Sequence, residues 1–140
     1  MKLFLDSSVL LAATGSATGA SRYLIENAAG RGWSLLTSPY CVVETGRNLP
    51  KLPAATRAFW QTLVRPRVKL APDRVSLDRP LVFPKAKDRP IVITALAATC
   101  DWLLTLDETD FHGKLGSRVY SLGIATPSEF LVAQRLQGKI

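Results

Sequence analysis

The chain has 140 residues, which suits one domain with a single hydrophobic core, and residues 1–140 are expected to form it. Its composition, 47% hydrophobic and 21% charged, is that of a soluble globular protein, and no apolar run approaches the roughly 18 residues that a membrane-spanning helix requires. The formal net charge of +7 favours a polyanionic partner, although a merely soluble basic surface would have the same charge.

The N-terminus and the cysteines indicate a cytoplasmic protein. Lys2 and the apolar residues after it superficially resemble a signal peptide, but Asp6 interrupts the hydrophobic stretch. Cys41 and Cys100 lack metal-binding spacing, and each lies in an apolar segment where a free thiol packs as a small hydrophobic group. We therefore expect a protein of the reducing cytoplasm, with no membrane partner.

Predicted strands and helices alternate along the whole chain. Short apolar runs predict strands at residues 2–5, 33–37, 68–71, 102–106 and 118–122. Apolar residues at helical spacing, after capping residues or prolines, predict helices at residues 8–12, 20–29, 54–63, 89–99 and 128–137. One more helix begins at Ser38-Pro39. This alternation predicts a central parallel sheet covered by helices on both faces.

Three aspartates stand at the ends of these elements. Asp6 ends the first strand and Asp107 the fourth, while Asp88 is placed at the N-cap of the helix over 89–99. In an open α/β sheet the carboxyl ends of the parallel strands line the crevice in which ligands bind. We therefore expect these carboxylates to face one site.

A fourth carboxylate, Glu44, has an unusual context. It follows the apolar stretch Cys41–Val43, so burial would desolvate its charge unless a partner compensated. One solution is a salt bridge to Arg47, one short turn away, and the other is a metal ion. The sequence leaves both open.

Eight basic residues lie from Arg65 to Arg89, and the run adjoins Asp88. A solvated surface is one explanation of such a run, and contact with a polyanionic substrate is the other. The chain has one histidine, His112, without a second ligand nearby, so we expect a loop residue rather than a metal ligand or general base.

Three parts of the chain resemble the motifs of the PIN-domain nuclease family. They are LDSSVLL, the helix that carries Glu44, and KDRPIVITALAATCDWLLTLDETDF. The resemblance extends over essentially the full chain and implies a PIN-like domain, a three-layer α/β/α sandwich with a central parallel sheet. Single-domain PIN proteins of this size are most familiar as the toxin halves of VapBC-type toxin–antitoxin pairs.

The resemblance assigns the four acids of the family to Asp6, Glu44, Asp88 and Asp107. Four carboxylates brought together would repel one another unless a divalent cation lay between them, and all-oxygen ligands favour Mg²⁺ or Mn²⁺ over zinc. We expect Asp6, Glu44 and Asp88 to hold the metal, and Asp107 to orient the attacking water or help hold a second ion.

Neighbouring residues offer alternatives and supporting roles. The acids that could share or replace the role of Asp107 are Asp101, Glu108 and Asp110. The hydroxyl groups that could donate hydrogen bonds to the carboxylates belong to Ser7, Ser8 and Thr105. The candidates for binding the RNA backbone are Lys85, Lys87, Arg89, Arg22 and Arg47.

The function implied is a metal-dependent endoribonuclease that hydrolyses RNA phosphodiester bonds, the toxin of a type II pair with a cognate antitoxin protein. The alternative is a PIN-like nucleic-acid-binding or RNA-processing protein that is not a toxin. A phosphatase or phosphotransferase is disfavoured, because Asp6-Ser7-Ser8 does not supply the DxD-type motif that places its nucleophile. Apolar residues near Leu52 and Phe59 exceed what one small core needs, so a homodimer is also expected.

Overall fold

The computed structural model describes residues 1–74, 89–107 and 118–140, whose strands and helices alternate as predicted. The strands are β1 (Lys2–Leu5), β2 (Ser34–Thr37), β3 (Lys69–Leu70), β4 (Trp102–Leu104), β5 (Arg118–Val119) and β6 (Leu122–Ala125). The α-helices are α1 (Ser7–Gly15), α2 (Ala20–Arg31), α3 (Pro39–Asn48), α4 (Ala54–Phe59), α5 (Arg89–Ala97) and α6 (Pro127–Leu136). Between α3 and β3 lie further short helical turns at Leu49–Lys51, Trp60–Val64 and Arg65–Arg67.

Within the described ranges the strands form one sheet in the order β3-β2-β1-β4-β6-β5. Five strands pair in parallel, and β5 pairs antiparallel with β6 at one edge. Consecutive residues of β1, Leu3, Phe4 and Leu5, are all fully buried, so both faces of the sheet are covered. The predicted three-layer α/β/α fold with a central parallel sheet is confirmed.

One predicted strand is wrong, because the chain reverses inside it. Residues 118–122 were expected to be a single strand, but β5 ends at Val119 and β6 begins at Leu122. Tyr120 takes a φ of 53°, in the left-handed region, and this turn joins the two strands. The segment carries no glycine or asparagine at the turn to mark it, so the apolar pattern alone did not predict the hairpin.

Helix α6 is fixed to the sheet by an aromatic cluster. The fully buried Phe130 packs edge-on against two tryptophans, with ring centroids 5.2 Å from Trp33 and 5.6 Å from Trp102. Thr126 and Glu129 form a reciprocal capping box at the start of this helix, as the Thr126-Pro127 sequence predicted for an N-terminus. The cluster therefore joins α6 to the amino ends of β2 and β4.

The apolar residues expected to form a dimer surface, Leu52 and Phe59, both contact other parts of the chain. Leu52 lies against α1, where a Cβ on Gly15 would be 3.0 Å from its Cδ2. Phe59 is 39% exposed, and the guanidinium of Arg22 lies 4.8 Å from its ring centroid. Part of the expected surface is thus used within the chain. The homodimer stays a prediction, which sedimentation velocity would contradict by showing monomer alone.

Among the helices of the three described ranges, none has the length and apolar character needed to span a bilayer.

The packing of Trp102 on β6 leads to a stability prediction. Gly123 pairs with Trp102 across the sheet, and a Cβ at Gly123 would lie 2.6 Å from Cε3 of that indole ring. We expect Gly123→Ala to lower the free energy of unfolding by about 1–3 kcal/mol, because the indole must move within a packed core. Urea unfolding measures the change.

The matched control is Gly30→Ala on α2, where nothing lies within 4 Å of the added Cβ. This variant is expected to keep wild-type stability or gain up to about 1 kcal/mol from the higher helix propensity of alanine. Equal stability of the two variants would show that the packing of the Trp102 ring does not require a glycine at position 123.

Candidate metal centre

The carboxylate of Asp6 is buried at the carboxyl end of β1 and caps the start of α1. Its side chain is only 5% exposed, and its oxygens accept hydrogen bonds on both sides. Oδ1 accepts from the backbone N–H of Ser7 at 2.7 Å, and Oδ2 accepts from Thr105 Oγ1 at 2.8 Å and Ser8 Oγ at 3.2 Å. Its backbone N–H donates to Leu104 O at 3.1 Å, which ties this carboxylate to β4.

Glu44 reaches the same place from α3. Helix α3 follows β2, is capped by the Ser38 side chain and packs against α1. The Ser7 hydroxyl donates a short hydrogen bond to Glu44 Oε1 and also lies 3.4 Å from Asp6 Oδ1. Ser7 therefore bridges the two carboxylates, which belong to segments 37 residues apart.

The salt bridge considered for Glu44 is not formed. Among the described residues, Glu44 and Arg47 make no ion pair; the other oxygen, Oε2, accepts from the Tyr40 hydroxyl at 3.4 Å. Tyr40 was not among the sequence candidates. Its position one helical turn before Glu44 is the signal that could have identified it.

The pKa of Asp6 is raised above its ordinary value, and burial is the largest cause. The hydrogen bonds from Thr105, Ser7 and Ser8 act in the opposite direction, and the charge of Glu44 raises the pKa further. Burial and the neighbouring charge of Glu44 thus disfavour the ionisation of Asp6. A divalent cation between them would lower the pKa by direct attraction.

Two hydroxyl groups connect Asp6 to the segment after β4. Thr105 is fully buried, and its Oγ1 accepts from the backbone N–H of Asp107 at 3.0 Å while it donates to Asp6. Ser8 makes the equivalent connection, because its Oγ accepts from Leu106 N at 3.1 Å and donates to Asp6. The half-buried Asp107 is therefore held at the same edge of the sheet as Asp6.

The predicted acids that the structure describes do not form one compact group. Within residues 1–74, 89–107 and 118–140, no three acidic, histidine or cysteine side chains lie close enough to hold a metal ion together. Asp101 lies at the amino end of β4, at the opposite end of the strands from Asp6, where its Oδ2 accepts a hydrogen bond from Lys2 N at 2.7 Å. This position excludes Asp101 from sharing the role of Asp107.

Several sequence candidates lie outside the described residues. They are Lys85, Lys87, Asp88, Glu108, Asp110 and His112. Helix α5 begins at Arg89, directly after Asp88 in sequence. The C-terminal end of α5 is near the start of β1, since Lys2 Nζ donates to Ala98 O at 3.2 Å. In a parallel α/β layer the helix runs back along the sheet, so its first turn points to the edge that carries Asp6.

Arg22 does not fit the predicted role in RNA binding. The side chain is 5% exposed, and it donates to two backbone carbonyls at the end of α1, Ala13 O at 2.6 Å and Thr14 O at 3.2 Å. A cation at a helix C-terminus satisfies carbonyls that have no partner within the helix. Arg22 therefore joins α1 to α2 and is not available at the surface.

The donor atoms of the site fit a hard divalent cation. The carboxylates of Asp6 and Glu44 both lie at the Ser7 hydroxyl, and such oxygens are the ligand atoms that Mg²⁺ and Mn²⁺ prefer. The nearby thiol of Cys41 is fully buried, and burial together with the charge of Asp6 raises its pKa to about 12. Cys41 is therefore neutral at pH 7 and serves neither as a zinc ligand nor as a nucleophile.

Comparison of the chain with protein families, curated proteins and solved structures found no match. The likeness to PIN-domain nucleases therefore rests on the motif residues and stays a prediction.

The role of Thr105 can be tested with an isosteric change. Thr105→Val removes one donor from the buried carboxylate of Asp6 and the acceptor of Asp107 N–H. We expect the metal-free protein to lose about 1–3 kcal/mol of stability, because buried polar groups are left without partners. Urea unfolding at pH 7 measures it.

Thr105→Ser is the control, because it keeps the hydroxyl and removes one methyl group. Its expected cost is smaller, about 1 kcal/mol. A valine variant as stable as the wild type would mean that this hydroxyl does not hold Asp6.

Proposed function

We propose that this protein is a metal-dependent endoribonuclease that hydrolyses RNA phosphodiester bonds. The observation that supports this best is the convergence of Asp6 and Glu44, from separate segments, on one hydroxyl at the carboxyl edge of a parallel sheet. Ligands bind at this edge in α/β folds. Two adjacent carboxylates in a partly desolvated position are also a typical place for a divalent cation.

The chain's own residues divide the work in this proposal. Asp6 and Glu44 would hold Mg²⁺ or Mn²⁺, joined by Asp88 as the resemblance implies. The bound ion would lower the pKa of the attacking water and stabilise the charge that develops on the phosphate. Asp107, fixed through Thr105, would accept a hydrogen bond from the attacking water and so orient it. No protein nucleophile is needed.

RNA as the substrate is supported by charge. The net charge of +7 attracts a polyanion, and the basic run from Arg65 to Arg89 includes the residues on either side of the proposed metal ligand Asp88. The resemblance to PIN-domain toxins implies that a second protein restrains the cleavage of RNA. The proposal therefore includes a cognate antitoxin, and a gene for a small DNA-binding protein beside this one would support it, whereas its absence would weaken it.

The first test of the function is cleavage of labelled RNA by the purified chain. We expect cleavage with Mg²⁺ or Mn²⁺ and none with excess EDTA, because the proposed mechanism depends on the bound ion to lower the pKa of the attacking water. Asp6→Asn should abolish cleavage. It should also leave the metal-free protein at least as stable as the wild type, since it removes the buried charge of Asp6 beside the half-buried Glu44.

The control for Asp6→Asn is Asp101→Asn, which removes the same charge at the opposite end of the strands. This variant should keep both cleavage and the rise in Tm that Mg²⁺ causes in the wild type, while Asp6→Asn should lose both. Activity that survives EDTA, or an equal Mg²⁺ shift in the two variants, would overturn the proposed metal centre.

A second test concerns the basic run. Reversing the charge of Lys85 and Lys87 should weaken RNA binding for all sequences and flatten its dependence on salt. Each lost phosphate contact changes the slope of log K against log salt by about 0.7 for a single strand. Charge reversal of Lys51 and Lys139, both exposed and outside the basic run, gives the comparison for net charge alone. The same slope in both double variants would assign Lys85 and Lys87 to the solvated surface.

A further inference from the structure

A groove lies beside Glu44 that the proposed cleavage chemistry does not use. Its volume is about 260 Å³, and its walls are formed by Pro39, Tyr40, Val43, Glu44, Arg47 and Asp73. The groove shares Glu44 with the candidate metal centre. A ligand in it would therefore lie directly next to the reacting phosphate.

One wall of the groove is a single face of α3. Val43 and Glu44 lie three and four residues after Tyr40, and Arg47 lies four and three residues after them. The four side chains are therefore on the same side of the helix. This face combines an aromatic ring, a branched apolar group, an acid and a cation. The helix thus presents in a row the groups that contact a base and a phosphate.

The opposite wall is the segment that follows β3. Ala71 N donates to Thr37 O at 2.7 Å and continues the pairing of β3 with β2. Two residues later, both carboxylate oxygens of Asp73 accept from the backbone N–H of Tyr40, at 3.2 and 3.3 Å. These hydrogen bonds join the two walls of the groove to each other.

The exposed groups of the groove are suited to a ligand. Val43 is 53% exposed although it is apolar. Arg47 is exposed in the last turn of α3, and its guanidinium makes no hydrogen bond or ion pair with any of the residues that the structure describes. An arginine with unused donors, next to an apolar surface, is a common recognition element for a nucleotide.

We infer that this groove binds one nucleotide of a single-stranded RNA, next to the phosphodiester that is cut. The base would lie against Tyr40 and Val43, and Arg47 would bind a phosphate of the strand. The inference rests on the proposed function, because it uses Glu44 as the boundary between the groove and the metal centre. The groove volume of about 260 Å³ is just below the usual range for ligand sites, about 300–1,000 Å³. A groove of this size suits one nucleotide rather than a nucleic-acid duplex.

The groove also determines the class of RNA. A base can enter it only when it is unstacked and unpaired, which a continuous A-form duplex does not allow. Side chains do not reach the base faces of a duplex, whereas an aromatic residue stacks readily on a base of a single strand. The protein should therefore bind and cut single-stranded RNA in preference to a duplex of the same sequence.

The chain offers matched controls for this groove on α6. Arg135 is exposed in the last turn of α6, as Arg47 is in the last turn of α3. Val132 is 51% exposed, close to the 53% of Val43. Arg47→Gln is therefore compared with Arg135→Gln, and Val43→Ser with Val132→Ser. Thermal melts of all four confirm that each variant is folded.

The experiment measures binding of a short fluorescein-labelled single-stranded RNA by anisotropy, with EDTA present so that no metal-dependent cleavage occurs. Arg47→Gln should weaken binding about tenfold and reduce its salt dependence, because a phosphate contact is lost. Val43→Ser should weaken it roughly fivefold with the salt dependence unchanged, because apolar contact with the base is lost. Both controls should stay within about twofold of the wild type.

Cleavage with Mg²⁺ separates this inference from the proposed function. If the wild type cuts RNA and the groove variants bind RNA like their controls, the nuclease function is supported and the groove is not the nucleotide site. If the groove variants lose RNA binding but no preparation cuts RNA, the nucleotide-binding groove is supported and the nuclease function is contradicted. Equal binding of the duplex and the single strand, or no binding by the wild type, would overturn the groove.

Discussion

The hydrogen bonding of the Asp6 carboxylate is the interaction on which the organisation of the site depends. A carboxylate so little exposed is costly unless its oxygens are satisfied, and here the donors come from the first turn of α1 and from the end of β4. The hydroxyls of Ser8 and Thr105, which both donate to this carboxylate, also accept hydrogen bonds from the backbone N–H groups of Leu106 and Asp107. One buried charge thereby fixes the relative positions of two strands, one helix and Asp107.

The site is also a place where the fold gives up stability. Burial and, to a smaller degree, the charge of Glu44 raise the pKa of Asp6, so ionising this group costs more free energy in the folded protein than in the unfolded chain. The proposed cation-binding function would account for this arrangement, because the charges that repel each other without the cation would become its ligands. A purely structural role would be served as well by a neutral residue at one of the two positions.

The groove along α3 extends this reasoning from chemistry to substrate. In the proposed enzyme the acids position a metal and a water, but they do not select the polymer that is cut. Arg47 and the exposed Val43 lie on the same helix face as Glu44, so a strand bound by them would place its phosphate at the acids. Rigid attachment of the groove to β2 and β3 makes this placement a property of the fold rather than of a flexible side chain.

The sequence by itself determined the fold class, because alternating apolar runs and helical patterns leave few arrangements other than a covered parallel sheet. It also placed Asp6 and Asp107 after strands, and the apolar neighbours of Glu44 indicated a charge in need of a partner. Local patterns carry such information, since period and capping depend on near neighbours.

Only the tertiary structure decided which groups meet. The bridge through Ser7 joins segments far apart in sequence, and no local signal distinguishes it from the alternative salt bridge to Arg47. The same applies to Arg22, whose charge suggested a surface contact until the fold buried it against helix carbonyls, and to Asp101, which the length of β4 separates from the site. Contacts of this kind depend on strand order and helix packing, which are fixed by the whole chain at once.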